Sequence, residues 1–348
     1  MPTRSTTEWR EWVSQQASGI LSAVGDRYGL CGLSAVGRPV GGWNAVIHAR
    51  GRTEEYGIKV FNGDSSGAAR SLASVETSAR LMSMVREAGF RELAPPIRNR
   101  RGRFCSRYAG YPVLVFPWLT EAAKGCLVED KAQDSGVAAT AGRLLASLHM
   151  TVAQHPTPLP CQSPALRWLY GPSRWARKID DVFDAAMQSV LARGGTADTM
   201  AALRRGYGLG CDLVAHEPAF FYSPKKESVV HGDYRPENLV YDGKRFLALL
   251  DFDMHHRSLR EAEVAYGALS FAGPRWFIGA RSLRVCRAFL NGYREVAPVD
   301  DGFLSVALLW APVRYLSLSF KPEQVEPRLG LCQQVSEWLS VRRSLLIR

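Results

Sequence analysis

Val229-Val230-His231-Gly232-Asp233-Tyr234-Arg235-Pro236-Glu237-Asn238-Leu239-Val240-Tyr241-Asp242-Gly243-Lys244-Arg245-Phe246-Leu247-Ala248-Leu249-Leu250-Asp251-Phe252-Asp253 is the stretch on which the reading of this chain turns. Val229-Val230 enters as a short apolar strand, and Leu239–Tyr241 is complementary to Phe246–Leu250. Asp242-Gly243 between them tolerates the positive φ of a two-residue hairpin turn. Two polar loops therefore flank one hairpin. The first carries His231, Asp233 and Asn238, and the second carries Asp251 and Asp253. Two residues apart in extended chain, those aspartates face the same way. A plain hairpin with acidic, solvated ends is the alternative for any one of these groups taken alone.

Taken as an ordered set, the groups suit phosphoryl transfer from a metal-bound nucleotide to a hydroxyl. A carboxylate is needed to orient the hydroxyl and accept its proton, the task that fits Asp233. Hard oxygen ligands are needed to hold Mg2+ against the departing phosphates, and Asn238 and Asp251 supply them. His231-Gly232-Asp233, then Asn238, then Leu250-Asp251-Phe252-Asp253 resembles the kinase-like phosphotransferases that include aminoglycoside phosphotransferases, choline kinases and homoserine-kinase-like enzymes. A segment ending Leu144-Leu145-Ala146-Ser147-Leu148-His149 is similar to that family's first helix of the larger lobe. Protein kinases use a related His-Arg-Asp and Asp-Phe-Gly. Gly232 in place of that Arg and Asp253 in place of that Gly point to the small-molecule branch.

Composition sets the outer limits. At 348 residues and 46% hydrophobic, the chain can bury a large core and is long enough for two domains. No apolar run reaches the eighteen or so residues of a membrane span, and Met1–Ile20 has no apolar signal-peptide region, so a cytoplasmic protein with no membrane partner is expected. Seven cysteines without paired metal spacing read as reduced buried thiols. The net charge of +11 is weighted to residues 1–116, which hold sixteen Lys/Arg against nine Asp/Glu. That bias suits a lobe handling nucleotide phosphates or an Arg-rich solvated surface. With no nucleic-acid motif and no aromatic-interleaved basic platform, no nucleic-acid partner is expected.

Working back toward the N-terminus, residues 8–30 read as a helix carrying Trp9, Trp12 and Val13 on one stripe. Leu33–Val40, Trp43–Ala49 and Glu55–Phe61 make a three-strand meander. Gly41 and Gly42 with Asn44 resemble the family's short nucleotide-covering loop, where backbone without Cβ approaches phosphates, although a Gly-Gly turn alone is equally an ordinary hairpin. Lys59 lies in the apolar run Tyr56–Phe61, where an inward lysine needs an anionic partner and an outward one faces solvent. The helix over about 68–88 offers Glu76 as the residue that positions Lys59, with Glu87 as the fallback. Gly63-Asp64-Ser65-Ser66-Gly67 matches a nucleophile elbow, which raises a serine hydrolase using Ser65 as a competing class. Too few strands precede it, and a strand-to-helix turn with capping serines is preferred. Leu93–Ile97 and Phe104–Tyr108 read as a hairpin with the basic tip Arg98–Arg103.

Tyr111–Leu119 is a strand ending at Pro117. In the family it resembles the hinge whose backbone, here Phe116, Pro117, Trp118 and Leu119, meets the adenine edge. The domain boundary is placed there, giving 1–118 as the nucleotide-binding lobe and 119–348 as the catalytic and acceptor-binding lobe. Beyond about Ser135 the pattern is helical, and acceptor-lining residues are expected around 165–185, 253–257 and 305–325. The terminal helices set Arg314, Lys321, Arg328, Arg342 and Arg343 against Asp300, Asp301, Glu323 and Glu326, not the dense acidic surface a polycation needs, so a neutral or zwitterionic alcohol is as reasonable as a polycation. Trp168, Trp175, Trp276 and Trp310 are either pocket or core, and His255-His256 reads as an exposed pair.

The expectation is therefore an α+β, bilobal protein-kinase-like fold: a small N-terminal antiparallel β-sheet lobe and a larger, mainly helical C-terminal lobe. The activity implied is transfer of the γ-phosphate of Mg2+-bound ATP, or GTP, to a hydroxyl of an antibiotic, amino alcohol, sugar or nucleoside, by a monomer or homodimer. Asp233, Lys59 and Glu76 are the catalytic set, with Asn238, Asp251 and Asp253 as metal ligands. A nucleotide-binding pseudokinase with an interaction role is the alternative outside enzymology.

Overall fold

A computed structural model describes residues 6–41, 44–62, 72–119, 134–155, 171–223, 227–242, 245–272, 282–319 and 321–347. Gly42, the elbow with Ser65, Trp168 and Trp276 lie outside the described residues. In chain order the first elements are α1 (Thr6–Gln15), α2 (Ala17–Tyr28), β1 (Ser34–Ala35), β2 (Ala45–Arg50), β3 (Glu55–Val60), α3 (Leu72–Glu87), β4 (Ser106–Tyr108) and β5 (Tyr111–Pro117). There follow α4 (Ser135–Gln154), α5 (Pro172–Arg177), α6 (Ile179–Leu191), α7 (Ala197–His216), α8 (Pro218–Phe221), β6 (Ser228–Val230), β7 (Leu239–Asp242) and β8 (Arg245–Leu249). The chain continues through β9 (His256–Ser258), α9 (Arg260–Phe271), α10 (Ser282–Arg294), α11 (Asp301–Leu316) and α12 (Pro322–Ile347). This is the α+β, kinase-like architecture expected, an N-terminal antiparallel sheet followed by a mainly helical remainder.

The chain divides into two compact units, each discontinuous in sequence, so no single cut at residue 118 or elsewhere separates them. The first comprises Met1–Cys126, His155–Arg167 and Val240–Asp253. Its five-stranded sheet has the order β1-β2-β3-β5-β4, and its neighbours are antiparallel throughout. The alternation of β2, with Ala45, Ile47 and Ala49 buried, turns those side chains onto Trp9, Val13, Ile20 and Val24 of α1 and α2. The opposite face carries Phe61, Leu114 and Phe104 against Val75 and Ala79 of α3. The hairpin β7-β8 joins the same unit through Leu93, which bridges Leu249 in parallel. Leu119 packs on Val240 and Ala248.

One expected hairpin is corrected. Residues 93–97 form no strand with Phe104–Tyr108; β4 instead pairs with β5, Tyr108 opposite Tyr111. Ala109 and Gly110, both at positive φ, make the two-residue turn, whereas Pro95 and Pro96 remove the donors a 93–97 strand would need. The expected helix over 8–30 is also two helices, parted at Gln16.

The second unit comprises Leu127–Gln154, Trp168–Leu239 and Met254–Arg348. Its helices pack so closely at α4 and α10 that a Cβ on Gly142 would stand 2.0 Å from the Phe289 carbonyl oxygen, and one on Gly292 2.0 Å from that of Ala139. That crossing brings His149 of α4 beside Tyr293 of α10, with 2.9 Å between Nδ1 and the hydroxyl. Trp175 is fully buried and donates to Ser317, 3.2 Å away, and is thus core rather than pocket wall. Among the described residues no helix is long and apolar enough to cross a membrane.

Candidate active site

In the first unit the chemistry gathers on Lys59. Its Nζ lies 2.8 Å from Asp251 Oδ1 and 2.5 Å from Asp253 Oδ2. Phe61 adds its ring face, 5.2 Å from the ammonium to the centroid. Burial disfavours the charge on Lys59, but the Asp251 and then Asp253 carboxylates outweigh it, so the ammonium is held above its ordinary pKa. Asp253 is itself buried and also accepts from Asn44 Nδ2 at 3.1 Å, while Asn44 Oδ1 accepts from the Asn62 amide at 3.3 Å. Asn44 lies in the turn closed by the mutual backbone hydrogen bonds of Val40 and Val46, where Gly41 takes φ +108°. The covering loop is thus tied to the β8 end through one carboxylate. Asp251, more open at 41% side-chain exposure, stands at φ +59°, a left-handed conformation that a non-glycine residue adopts at some cost and that is common at functional sites.

Glu76 is not the residue that meets Lys59. Its carboxylate accepts from the Cys105 amide at 2.8 Å and from Arg80 Nε at 3.2 Å. Glu87, the fallback, accepts from Ser83 at 2.8 Å. The physical reason is that the second loop already delivers two carboxylates to Lys59, while α3 must satisfy the backbone entering β4. At the expected hinge, Trp118 donates from its backbone to the Glu55 carbonyl at 2.8 Å, and its ring stacks on His48 with 4.0 Å between centroids. Phe116 lies opposite Gly57 in the ladder, one residue before Pro117 ends the strand.

In the second unit the loop after β6 is built around Asp233. Oδ1 accepts from the Tyr266 hydroxyl at 3.0 Å, and Oδ2 from Asn238 Nδ2 at 2.9 Å and Arg235 Nε at 3.2 Å. A 3₁₀ turn over Pro236–Asn238 folds Asn238 back, so that its amide nitrogen also reaches the Asp233 carbonyl at 2.7 Å. Both amide hydrogens are thereby spent on Asp233, and no donor among the described residues reaches Asn238 Oδ1. Burial, and then the Asp233 charge, hold Tyr266 well above its ordinary pKa, so its hydroxyl remains a donor.

The loop itself hangs on Glu263 of α9. This buried carboxylate accepts the amides of His231 at 2.9 Å and Gly232 at 2.5 Å, and His149 Nε2 at 2.9 Å. Burial alone would raise its pKa; the hydrogen bond and charge of His149, then His231 and the Gly232 amide, bring it below the usual value. His231 is fully buried and Nδ1 accepts from the Asp233 amide at 3.2 Å, a loop-organising role. Glu263, Tyr266 and Arg235 were missed in the sequence, because a glutamate in the first turn of a helix reads as ordinary dipole matching. His255 and His256, expected to be exposed, are buried. His256 pairs opposite Val230 in the β6-β9 ladder, and its Nδ1 lies 2.9 Å from the Met254 carbonyl oxygen. Burial, followed by the Arg314 charge, lowers its pKa to about 4.

Asn238 Oδ1 and the open carboxylate of Asp251 are hard oxygen donors that fit Mg2+. Asp253, occupied by Lys59 and Asn44, fits an anchoring role better. Among the described residues no group of three or more His, Cys, Asp or Glu forms a metal site.

Residues 40–299 match the family model described as the phosphotransferase enzyme family. The chain belongs to this family. The phosphotransferase is similar over 95% of its length to solved structures of a microcompartment-associated aminopropanol kinase (TM-score 0.65, 16% identity, all of that chain covered) and of an amicoumacin kinase in complex with AMP-PNP, Ca2+ and Ami (0.63, 15% identity, 92% of that chain covered). Choline kinase from Cryptosporidium parvum Iowa II is similar over 95% of this chain and all of its own, with TM-score 0.60 and 11% identity. At such identities the likeness is one of fold, that of small-molecule kinases. Comparison of the phosphotransferase sequence with curated proteins gives no match.

Proposed function

We propose that this phosphotransferase transfers the γ-phosphate of ATP to a hydroxyl group of a small molecule, with magnesium as its metal. The observation that carries the reading is the setting of Asp233: three donors fix its carboxylate, while the oxygen of the neighbouring Asn238 accepts from no donor among the described residues. Asp233 orients the acceptor hydroxyl. As the hydroxyl oxygen bonds to the γ-phosphorus, the bond to the β-phosphate oxygen breaks, ADP leaves with that electron pair, and the hydroxyl proton passes to Asp233. In a loose transition state, positioning and charge neutralisation do most of the work, so Asp233 need not be a strong base.

Lys59, held by Asp251 and Asp253, is assigned to the donor phosphates, and Gly41, Gly42 and Asn44 to the loop covering them. The backbone of Phe116–Leu119 is assigned to the adenine edge. Asn238 and Asp251 are the oxygen donors assigned to magnesium, with Asp253 anchoring Lys59. Bound Mg2+ supplies positive charge to the departing phosphates.

The test is ATP-dependent phosphorylation of a panel of hydroxyl compounds, run in parallel with GTP, comparing wild type with Asp233→Ala. Turnover that drops about 1000-fold or more in the variant supports the assignment. Nucleotide binding with no turnover on any acceptor would replace it with the pseudokinase reading.

A further inference from the structure

A pocket in the second unit has Gly232, His256, Glu263, Tyr266, Trp310 and Arg314 in its wall. Trp310 and Arg314 stand one turn apart on α11 and so share a face. Arg314 is 8% exposed, and its Nε and Nη2 reach no acceptor among the described residues; the buried indole Nε1 of Trp310 reaches none either. Three nitrogens on two residues of one pocket wall, carrying four N–H bonds, thus reach no acceptor among the described residues. Stacking near the Trp310 ring, 5.5 Å from guanidinium carbon to centroid, satisfies none of them.

A buried guanidinium lacking hydrogen-bond acceptors is costly, and such groups are rare unless something else completes them. The nearby carboxylates do not complete Arg314 Nε or Nη2, and each is already bonded to other partners. Glu263 serves His149 and the amides of His231 and Gly232, while Asp233 serves Tyr266, Asn238 and Arg235. Burial lowers the Arg314 pKa from its ordinary value, and the charges of Tyr266, Asp233 and Glu263 offset only part of that. His256, neutral at physiological pH with its pKa near 4, leaves Arg314 as the cation of this wall. The complementary ligand is an acceptor-only anion with two oxygens, which the guanidinium fork grips in bidentate fashion.

The place of the cavity says what carries that anion. Tyr266 lines it and holds Asp233 through its hydroxyl, and Gly232 lines it and precedes Asp233 in the chain. We propose that the acceptor is a small hydroxy acid whose carboxylate binds Arg314 and the Trp310 indole while its hydroxyl lies at Asp233. The inference rests on the phosphotransfer reading above and narrows its substrate class.

Compounds differing only by a carboxylate test it: serine against ethanolamine, homoserine against 3-aminopropanol, glycerate against ethylene glycol, each with Mg2+ and ATP. The acid should be favoured about 100-fold or more in kcat/KM in at least one pair. That ratio should fall below about 10-fold in Arg314→Met, chiefly through KM, and be partly retained in Arg314→Lys. Thermal melts establish that the variants fold, and the wild-type preference needs no variant. Equal or better use of the neutral partners, or a ratio unmoved in Arg314→Met, overturns the hydroxy-acid assignment while leaving the kinase standing. If nothing is phosphorylated the kinase reading has failed instead, and calorimetry of the same acids decides: binding weakened at least about 10-fold by Arg314→Met sustains the site, and no saturable binding to wild type overturns it.

Discussion

At Gly232, φ is +86°, and a Cβ would stand 2.1 Å from the Met254 carbonyl oxygen and 2.9 Å from His256 Nδ1. Neither the backbone conformation nor the space admits a methyl group. Gly232→Ala should therefore destabilise the protein by about 3 kcal/mol or more, read as a lowered denaturant midpoint, and abolish turnover by displacing the loop. His256 gives a pH dependence. Its folded pKa of about 4 lies below the ordinary 6.5, so between those values the unfolded chain binds the extra proton. The neutral ring's contribution is complete above pH 6.5 and is progressively lost as pH falls toward 4, by about 3 kcal/mol in all. Urea unfolding across that window should show a shallower slope in His256→Asn than in wild type; identical slopes would show that His256 does not carry the effect.

At the scale of elements, β3 and the β7-β8 hairpin are joined in the first unit by Lys59 and its two aspartates. Removing the cation leaves Asp251 and the buried Asp253 without the ammonium that both carboxylates reach. Lys59→Met should thus cost about 3 kcal/mol at pH 8 and distinctly less at pH 4, where a carboxylate takes up a proton and relieves the repulsion. Melting temperatures of wild type and variant at the two pH values would check this, a constant difference being the adverse result. In the second unit, α9 does for the Asp233 loop what the aspartates do for Lys59: Glu263 gathers two loop amides and the His149 imidazole of α4. The motif residues were legible because they are close in sequence. Glu263, thirty-two residues beyond His231, carries no local mark of its partners, and Glu76 was assigned to Lys59 because helix periodicity offered a face and nothing nearer.

For the molecule as a whole, the division into two units separates the consequences of mutation. Asp251→Ala should weaken magnesium-dependent nucleotide binding by about 10-fold or more and respond little to further chelation, whereas Asp233→Ala should retain nucleotide affinity and lose turnover. Titration calorimetry with ATP, with and without a chelator, distinguishes the two; unchanged binding in Asp251→Ala would remove it from the metal set. The basic bias of residues 1–116 accords with phosphate handling in the unit that contains Lys59.

By itself the amino-acid sequence determined the class of fold and marked out two polar loops beside a hairpin. Strand alternation, turn residues and a short ordered run of polar groups are local properties, readable over a few residues. Only the tertiary structure decided which carboxylates face Lys59, that Glu263 holds the loop, that His256 is buried and that two nitrogens of the buried Arg314 reach no acceptor among the described residues. Those depend on contacts between residues far apart in the chain, such as Lys59 with Asp251, 192 positions away. Periodicity says which face of a helix or strand turns inward, and packing alone says what it meets there.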